Sequence, residues 1–216
     1  LETGYYNSQF ADYRRGTIHA TLTRNEIRGT TRALRGWTQT GGSVNELNSS
    51  DNLFTGSPTG VQLDYNTSAS FTRDVISGCG TGMTVAGGTL TMVSSRVSGN
   101  TVKGVTLSSL SSAVMGGSLA EANDIYGNTG QNLVVTGSPA LAGYNYWGTV
   151  VEDSLVAKIT GPANYSPWTD ASHSGTFWST YRKGVITGDE HWSGEVKVAG
   201  DVFIPFGSRL TIDPGS

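Results

Sequence analysis

Charge is scarce in this chain. Asp, Glu, Lys and Arg make up 14% of its 216 residues, and the net charge is −3 with a pI near 5.6. That balance argues against nucleic acid or an anionic membrane surface as a partner, because both are held by dense positive charge. Cysteine is nearly absent. Cys79 stands alone, which excludes an internal disulfide framework, and its place in a turn reads as a small buried residue rather than a reactive thiol. Histidine is limited to His19, His173 and His191, in separate segments without metal-ligand spacing. No metal or other cofactor is expected. No stretch approaches the roughly 18 consecutive apolar residues of a membrane span, so no membrane insertion is expected. The chain begins at Leu1 with no visible secretory signal and reads as a processed or excised piece of a longer polypeptide.

Glycine, in contrast, is plentiful at 30 residues, and three of them keep time. Gly60, Gly82 and Gly104 recur with a period of 22, each followed by apolar–polar–apolar: Val61-Gln62-Leu63, Met83-Thr84-Val85, Val105-Thr106-Leu107. Such alternation is that of a short strand with one buried face. A further copy, Ile125-Tyr126-Gly127-Asn128-Thr129 followed by Leu133-Val134-Val135, is offset by 28 residues and so carries a six-residue insertion. A repeat of this length cannot bury its apolar side chains alone; it must stack. At a strand spacing of about 4.8 Å, each inward residue meets its equivalent above and below.

The offsets define columns. Val61, Met83, Val105 and Leu133 form one, and Leu63, Val85, Leu107 and Val135 the next. A second strand takes Phe71, Val93 and Met115, with Met92 and Val114 competing for its phase; a third takes Val75, Val97 and Ile125. Three strands per coil make a parallel β-helix, all-β. Earlier, less regular coils are expected before residue 50, with Ile27 in the third column, Leu34 opening the next coil and Thr17 to Leu22 a strand of the coil before. A bulge is expected between Trp37 and Asn52. Val151, Leu155 and Ile159 fall at spacing four, a short helix over 153–159. The expected organisation is coils over 1–149 ending in a Trp147-bearing segment, a transitional linker over 150–180, and short strands over 181–216 that begin a following β-helix module. Val196/Val198, Val202/Ile204 and Leu210/Ile212 read as three strands broken by Gly200, Pro205 and Gly207. With nothing to cap Ile212, residues 185–216 are expected to be mobile or paired with another molecule, and the parent polypeptide to continue.

The repeat, with Asn123-Asp124-Ile125-Tyr126-Gly127-Asn128 ahead of the Gly-apolar-x-apolar strands, resembles the right-handed parallel β-helix repeats of the pectin-lyase-like superfamily. Asn145-Tyr146-Trp147-Gly148 is similar to the segment that ends such helices in bacterial secreted proteins. Trp192 to Val198 through Leu210 to Gly215 looks like the entry into another β-helix of a multi-module surface protein. The resemblance implies an extracellular or cell-surface location. It also implies where catalysis sits in the enzymes of the superfamily, the pectate lyases and polygalacturonases: the outward face of the first strand and the adjoining loop.

That face reads Gln62, Thr84, Thr106 and Val134, then Asp64, Ala86, Ser108 and Thr136. Asp64 is its one ionisable residue. Glycoside hydrolysis needs a carboxylate pair, and calcium-assisted elimination needs several carboxylates and a base. The catalytic candidates are therefore Asp64, Arg73 and Asp74, with Arg73 and Asp74 weighed against a solvated turn pair. The ligand-binding candidates are Gln62, Asp64 and Tyr65. Tyr5, Tyr6, Tyr13 and Trp37 form a second aromatic group, for sugar stacking or for packing over the solenoid end. Arginines 14, 15, 24, 28, 32 and 35 form either a solvated edge or a contact for an anionic glycan. The expected function is a non-catalytic structural, adhesive or glycan-contacting module. Its expected partners are a polysaccharide or a host or neighbouring surface, and at the C-terminal edge a further stretch of the same polypeptide or another chain. A polysaccharide lyase or glycoside hydrolase is the alternative.

Overall fold

The computed structural model describes residues 2–3, 17–29, 31–37, 44–65, 67–194 and 196–215. Tyr5, Tyr6, Tyr13, Arg14 and Arg15 lie outside them, as do residues 38–43 of the segment expected to bulge; the rest of that segment is mostly a strand, Val44–Ser50, in place of a bulge.

The chain forms a parallel β-helix with three strands per coil. The first coil holds β1 (Glu2–Thr3), β2 (Thr17–Thr23) and β3 (Glu26–Ile27), and the second β4 (Arg32–Trp37), β5 (Val44–Ser50) and β6 (Leu53–Thr55). The third holds β7 (Thr59–Asp64), β8 (Thr67–Thr72) and β9 (Val75–Ser77), and the fourth β10 (Thr81–Ala86), β11 (Thr89–Val93) and β12 (Arg96–Ser98). The fifth holds β13 (Lys103–Ser108), β14 (Ser112–Met115) and β15 (Asp124–Tyr126). The stack closes with β16 (Leu133–Thr136) and β17 (Ala140–Leu141), then a short helix α1 (Glu152–Val156), β18 (Ile159–Thr160) and β19 (Ala163–Asn164). Strands of equal rank pair in parallel into sheets of seven, seven and five strands. The expected end at residue 149 therefore moves outward: the first two sheets run on through β18 and β19. Trp147, 2% exposed, is core rather than lid, and the helix starts at Glu152, with Leu155 buried and Val151 in solvent.

The first-strand columns hold as the spacing predicts. Leu34, Val61, Met83, Val105, Leu133 and Ile159 stand in line, each buried. In the second strand the inward column is Phe71, Met92 and Met115, not Val93; in the third it is Ile76, Val97 and Ile125, not Val75. The reason is a one-residue trade between turns. Thr59 pairs with Thr81 at an offset of 22, but Ser68 pairs with Thr89 at 21 and Ile76 with Val97 at 21. A period carried over from the first strand thus lands one residue off, which reverses the face. The insertion of the fifth coil lies between β14 and β15 and holds a turn of 3-10 helix, Leu119–Glu121.

Glycine in the first sheet answers to crowding, not to backbone dihedral. A Cβ on Gly60 would lie 2.6 Å from the carbonyl oxygen of Gly82, and one on Gly82 would lie 2.8 Å from that of Gly104. The corners are held by a second device. After the second strand, the backbone N–H groups of Asn25, Asn52, Asp74, Ser95 and Asn123 donate in turn to the side chains of Asn52, Asp74, Ser95, Asn123 and Asn145 one coil on. After the third strand, Gly29 donates likewise to Ser57, Cys79 to Asn100 and Asn100 to Asn128. These side chains satisfy corner amides that no sheet ladder reaches. Cys79 is 1% exposed, as its turn position implied, and burial raises its thiol pKa.

The expected linker is a packed hairpin. β20 (Trp168–Thr169) pairs antiparallel with β21 (Thr176–Phe177), and Trp168 stacks on Phe177 with ring centroids 5.9 Å apart. Beyond it lie β22 (Tyr181–Val185), β23 (Glu190–Trp192), β24 (Lys197–Phe203) and β25 (Leu210–Ile212). β22 pairs with β24 and β23 with β25, both in parallel. Two of the three expected strands are one, because Gly200 sits within β24 instead of turning the chain.

Candidate functional site

The outward face of the first sheet brings Gln62 and Asp64 together, with Tyr65 at the corner that follows, and adds two arginines from the coil before. Alternation on β4 and β7 sets Arg35 beside Gln62 and Trp37 beside Asp64. Arg32 Nε donates to Gln62 Oε1. Gln62 Nε2 in turn donates to both carboxylate oxygens of Asp64, at 3.0 and 2.9 Å. Arg35 Nε lies 3.5 Å from Asp64 Oδ2, with the carboxylate side chain 16% exposed. Tyr65 follows at a left-handed corner (φ 39°) and is 64% exposed. On the next coil the neighbours of Gln62 and Asp64 are Thr84 and Ala86, and Thr106 and Ser108 follow on the one after. This is a surface of amides, hydroxyls, two guanidinium groups and one internally engaged carboxylate. Its groups suit hydrogen bonding to a polyol; Asp64 has no carboxylate beside it in register to share an acid–base task.

Arg73 and Asp74 belong to neither that cluster nor each other. The six residues of β8 separate them from Asp64, about 20 Å at about 3.3 Å per residue. Arg73 takes a left-handed corner and grips Asp51 with two bonds of 2.7 and 3.0 Å, which holds the Asp51 carboxyl below its usual range. Asp74 turns inward, fully buried, as a rung of the corner ladder. Its Oδ1 accepts from the backbone N–H of Asn52 at 2.8 Å and from Asn52 Nδ2 at 3.0 Å. Burial raises its pKa against those bonds. The solvated-pair expectation fails for Asp74 because the left-handed turn at Arg73 sends the two side chains to opposite sides of the coil wall.

Each histidine faces a carboxylate of another segment: His19 Nδ1 lies 2.6 Å from Glu46, His173 Nε2 lies 3.1 Å from Asp124, and His191 Nε2 lies 2.6 Å from Asp213. Among the described residues no group of three His, Cys, Asp or Glu is placed to hold a metal ion.

A second concavity lies where β22 crosses the end of the stack. Gly184, with φ 94°, lets the backbone pass against β19; a Cβ there would lie 2.6 Å from the carbonyl oxygen of Ala163. Glu152 fixes the approach. It accepts from the Thr180 N–H at 2.8 Å, from the Thr180 hydroxyl at 2.7 Å and from the Ser179 hydroxyl. Burial alone would raise its pKa; the bonds from Ser179 and Thr180 outweigh it and hold the carboxyl below its usual range. The resulting cleft of about 250 Å³ is lined by Asn164, Trp178, Tyr181, Arg182, Glu190 and Trp192 among others. Arg182 lies over the Trp192 ring at 5.5 Å, and Trp192 Nε1 donates to Glu190 Oε2 at 2.9 Å. The expectation of a transitional linker over 150–180 passes over this cleft. The available signal was Phe177, Trp178 and Tyr181 within five residues, a density of aromatics that a linker has no reason to carry.

No family model, no curated protein and no solved structure matches the chain.

Proposed function

We propose that this chain is a non-catalytic β-helix module of a larger extracellular or cell-surface bacterial protein, akin to the pectin-lyase-like repeats, that serves adhesion by contacting glycans. The observation that carries the reading is the closed run Arg32–Gln62–Asp64–Arg35 on the outward face of the first sheet. Both oxygens of the carboxylate already accept from Gln62, and its flanking positions in the sheet are taken by Trp37 and Ala86. Such a group orders a hydrogen-bonding surface, and no second carboxylate stands beside it in register to share acid–base work. The threonines and serines that continue the face add donors and acceptors without charge. Among the described residues β24 and β25 each pair with one strand, and their other edges offer backbone to a further stretch of polypeptide or to another chain.

The test is a screen of acidic and neutral polysaccharides, with new ultraviolet absorbance read for elimination and new reducing ends for hydrolysis. Retention by a polysaccharide without turnover is the expected outcome. Turnover that Asp64→Ala abolishes would replace this reading with a lyase or hydrolase.

A further inference from the structure

We infer that the cleft between β19 and the C-terminal strands binds one neutral pyranose unit of a glycan, with Trp178 as the stacking platform. The inference rests on the glycan-contacting reading above but places the decisive contact elsewhere, about a cleft that the first-sheet face does not include.

Trp178 is the starting point. Trp147, Trp168 and Trp192 are 2, 2 and 6% exposed, whereas Trp178 is 68% exposed at the cleft mouth. Leaving so large an apolar face in water forgoes burial that Trp147, Trp168 and Trp192 achieve. Its neighbours define what would cover it. The Nε of Arg182 is shielded from solvent and has no hydrogen-bond partner, while the guanidinium is held over Trp192. A buried donor without a partner favours an oxygen-bearing ligand. Glu190, fixed through Trp192 Nε1, adds an acceptor beside it, and Asn164 adds an amide.

This combination selects a ligand class. An anion would meet Arg182 but also the carboxylate of Glu190. A purely apolar ligand would leave the Arg182 donor unanswered. A polyol satisfies both, since each hydroxyl donates and accepts. A pyranose further presents a face of C–H groups that lies flat on an indole. The cleft volume of about 250 Å³ falls below the roughly 300–1,000 Å³ of sites that enclose drug-sized ligands, which suits a single ring gripped at the end or bend of a longer glycan. The wall that carries Trp178 is preorganised: Glu152 holds Ser179 and Thr180, directly after Trp178 and ahead of β22, and the Tyr181 hydroxyl donates to Asp153 at 2.5 Å.

The experiment is native electrophoresis of the whole chain through gels containing soluble β-glucan, xylan, mannan, galactan, starch or polygalacturonate, with Trp178→Ala, Trp178→Phe and Gln62→Ala run alongside and methyl pyranosides as competitors. Retardation by at least one neutral polysaccharide is expected, weakened at least about tenfold by Trp178→Ala, largely restored in Trp178→Phe and relieved by a methyl pyranoside. The melting temperature of Trp178→Ala should match that of the parent, since the side chain is mostly in solvent. Retardation untouched by Trp178→Ala and lost in Gln62→Ala overturns the cleft and leaves the glycan-contacting reading standing. Retardation by polygalacturonate alone overturns the neutral pyranose. Retardation by none of the six overturns the cleft and the glycan contact together.

Discussion

Residues 59–115 and residues 181–212 both pair their strands in parallel with the next turn of chain, yet only the first region is closed. In the third to fifth coils three walls face one another, and Leu63, Val85 and Leu107 are at most 1% exposed. In the C-terminal strands two walls pair, β22 with β24 and β23 with β25, and Val198 and Ile212 are 59 and 54% exposed. Parallel pairing is therefore not what stabilises a coil. What distinguishes the middle is a third wall that completes the core and side-chain ladders that satisfy the corners.

The largest way to break the comparison is to put a charge at equivalent inward positions. Val85→Asp should cost about 4 kcal/mol, the scale of an unpaired buried charge, and unfold the stack on heating far below the parent. Ile212→Asp should stay within about 0.5 kcal/mol, as an exposed position does. Thr84→Asp, one residue from Val85 but facing outward, should also be tolerated. Equal losses at Val85 and Ile212 would show that the C-terminal strands have a core of their own.

Next in size is the corner ladder. Asn100→Ala removes the acceptor for the Cys79 N–H at 3.0 Å and the donor to Ile76 O at 3.3 Å, both buried. Stranding those groups should cost about 3 kcal/mol. Chemical denaturation of Asn100→Ala and Asn100→Asp separates the two losses, because Asp keeps the acceptor. An Asn100→Ala variant as stable as the parent would remove the ladder from the account of the fold.

Glycine substitutions sharpen the contrast at a smaller scale. Gly82→Ala must push aside the Gly104 carbonyl at 2.8 Å and Val97 Cγ1 at 2.7 Å, an overpacking loss of about 2 kcal/mol. Gly207, with φ 88°, has open space where its Cβ would be, so Gly207→Ala should cost only the strain of a left-handed alanine, about 1 kcal/mol. Thermal unfolding of the two variants ranks them; the reverse order would mean that the close approach in the first sheet relaxes easily.

These glycines also show what was legible in the sequence. Gly60, Gly82 and Gly104 recur because a fixed steric demand repeats with each coil, and a demand on one position leaves a strict period. The corner ladder repeats as faithfully in space but not in sequence. Its members are Asn, Asn, Asp, Ser, Asn and Asn, at offsets of 27, 22, 21, 28 and 22, because turns absorb insertions and several polar side chains can accept the same N–H. The same turn-length trade displaced Val93 and Val75 by one residue from their columns. At the site, the shared face of Gln62 and Asp64 is legible since a strand fixes which neighbours share a face. Asp74 was not, because a single left-handed residue decides which way it points. The place of Arg35 arises from a contact between coils that no local pattern records, and the cleft around Trp178 leaves only the local density of Phe177, Trp178 and Tyr181 as its trace.

The smallest effect sets the two regions against each other by pH. Burial raises the pKa of Asp74 in the closed stack, so the folded state favours its protonated form. The stability this contributes is complete below the ordinary aspartate value near 3.9 and is lost as pH rises through the higher folded value. Glu152 has the opposite sign. Burial pushes its pKa up, but the bonds from Ser179 and Thr180 overcome that and leave it lowered. The attachment it supports is complete above the ordinary glutamate value near 4.3 and is lost as pH falls through the lower folded value. Acid below the ordinary glutamate value should therefore loosen the clamp over residues 179–181 and the strands beyond it, while the ladder around Asp74 tightens. Hydrogen exchange between pH 3 and 7, corrected for intrinsic rates, reads both ends at once. Protection at residues 179–185 should fall with acid while protection of the Asn52 and Thr72 amides, which donate to Asp74, rises. Glu152→Gln should flatten the first response, and Asp74→Asn should raise stability near neutral pH and flatten the second. If both regions lose protection together, and do so equally in Glu152→Gln, the C-terminal strands are not hung from the stack by that carboxylate.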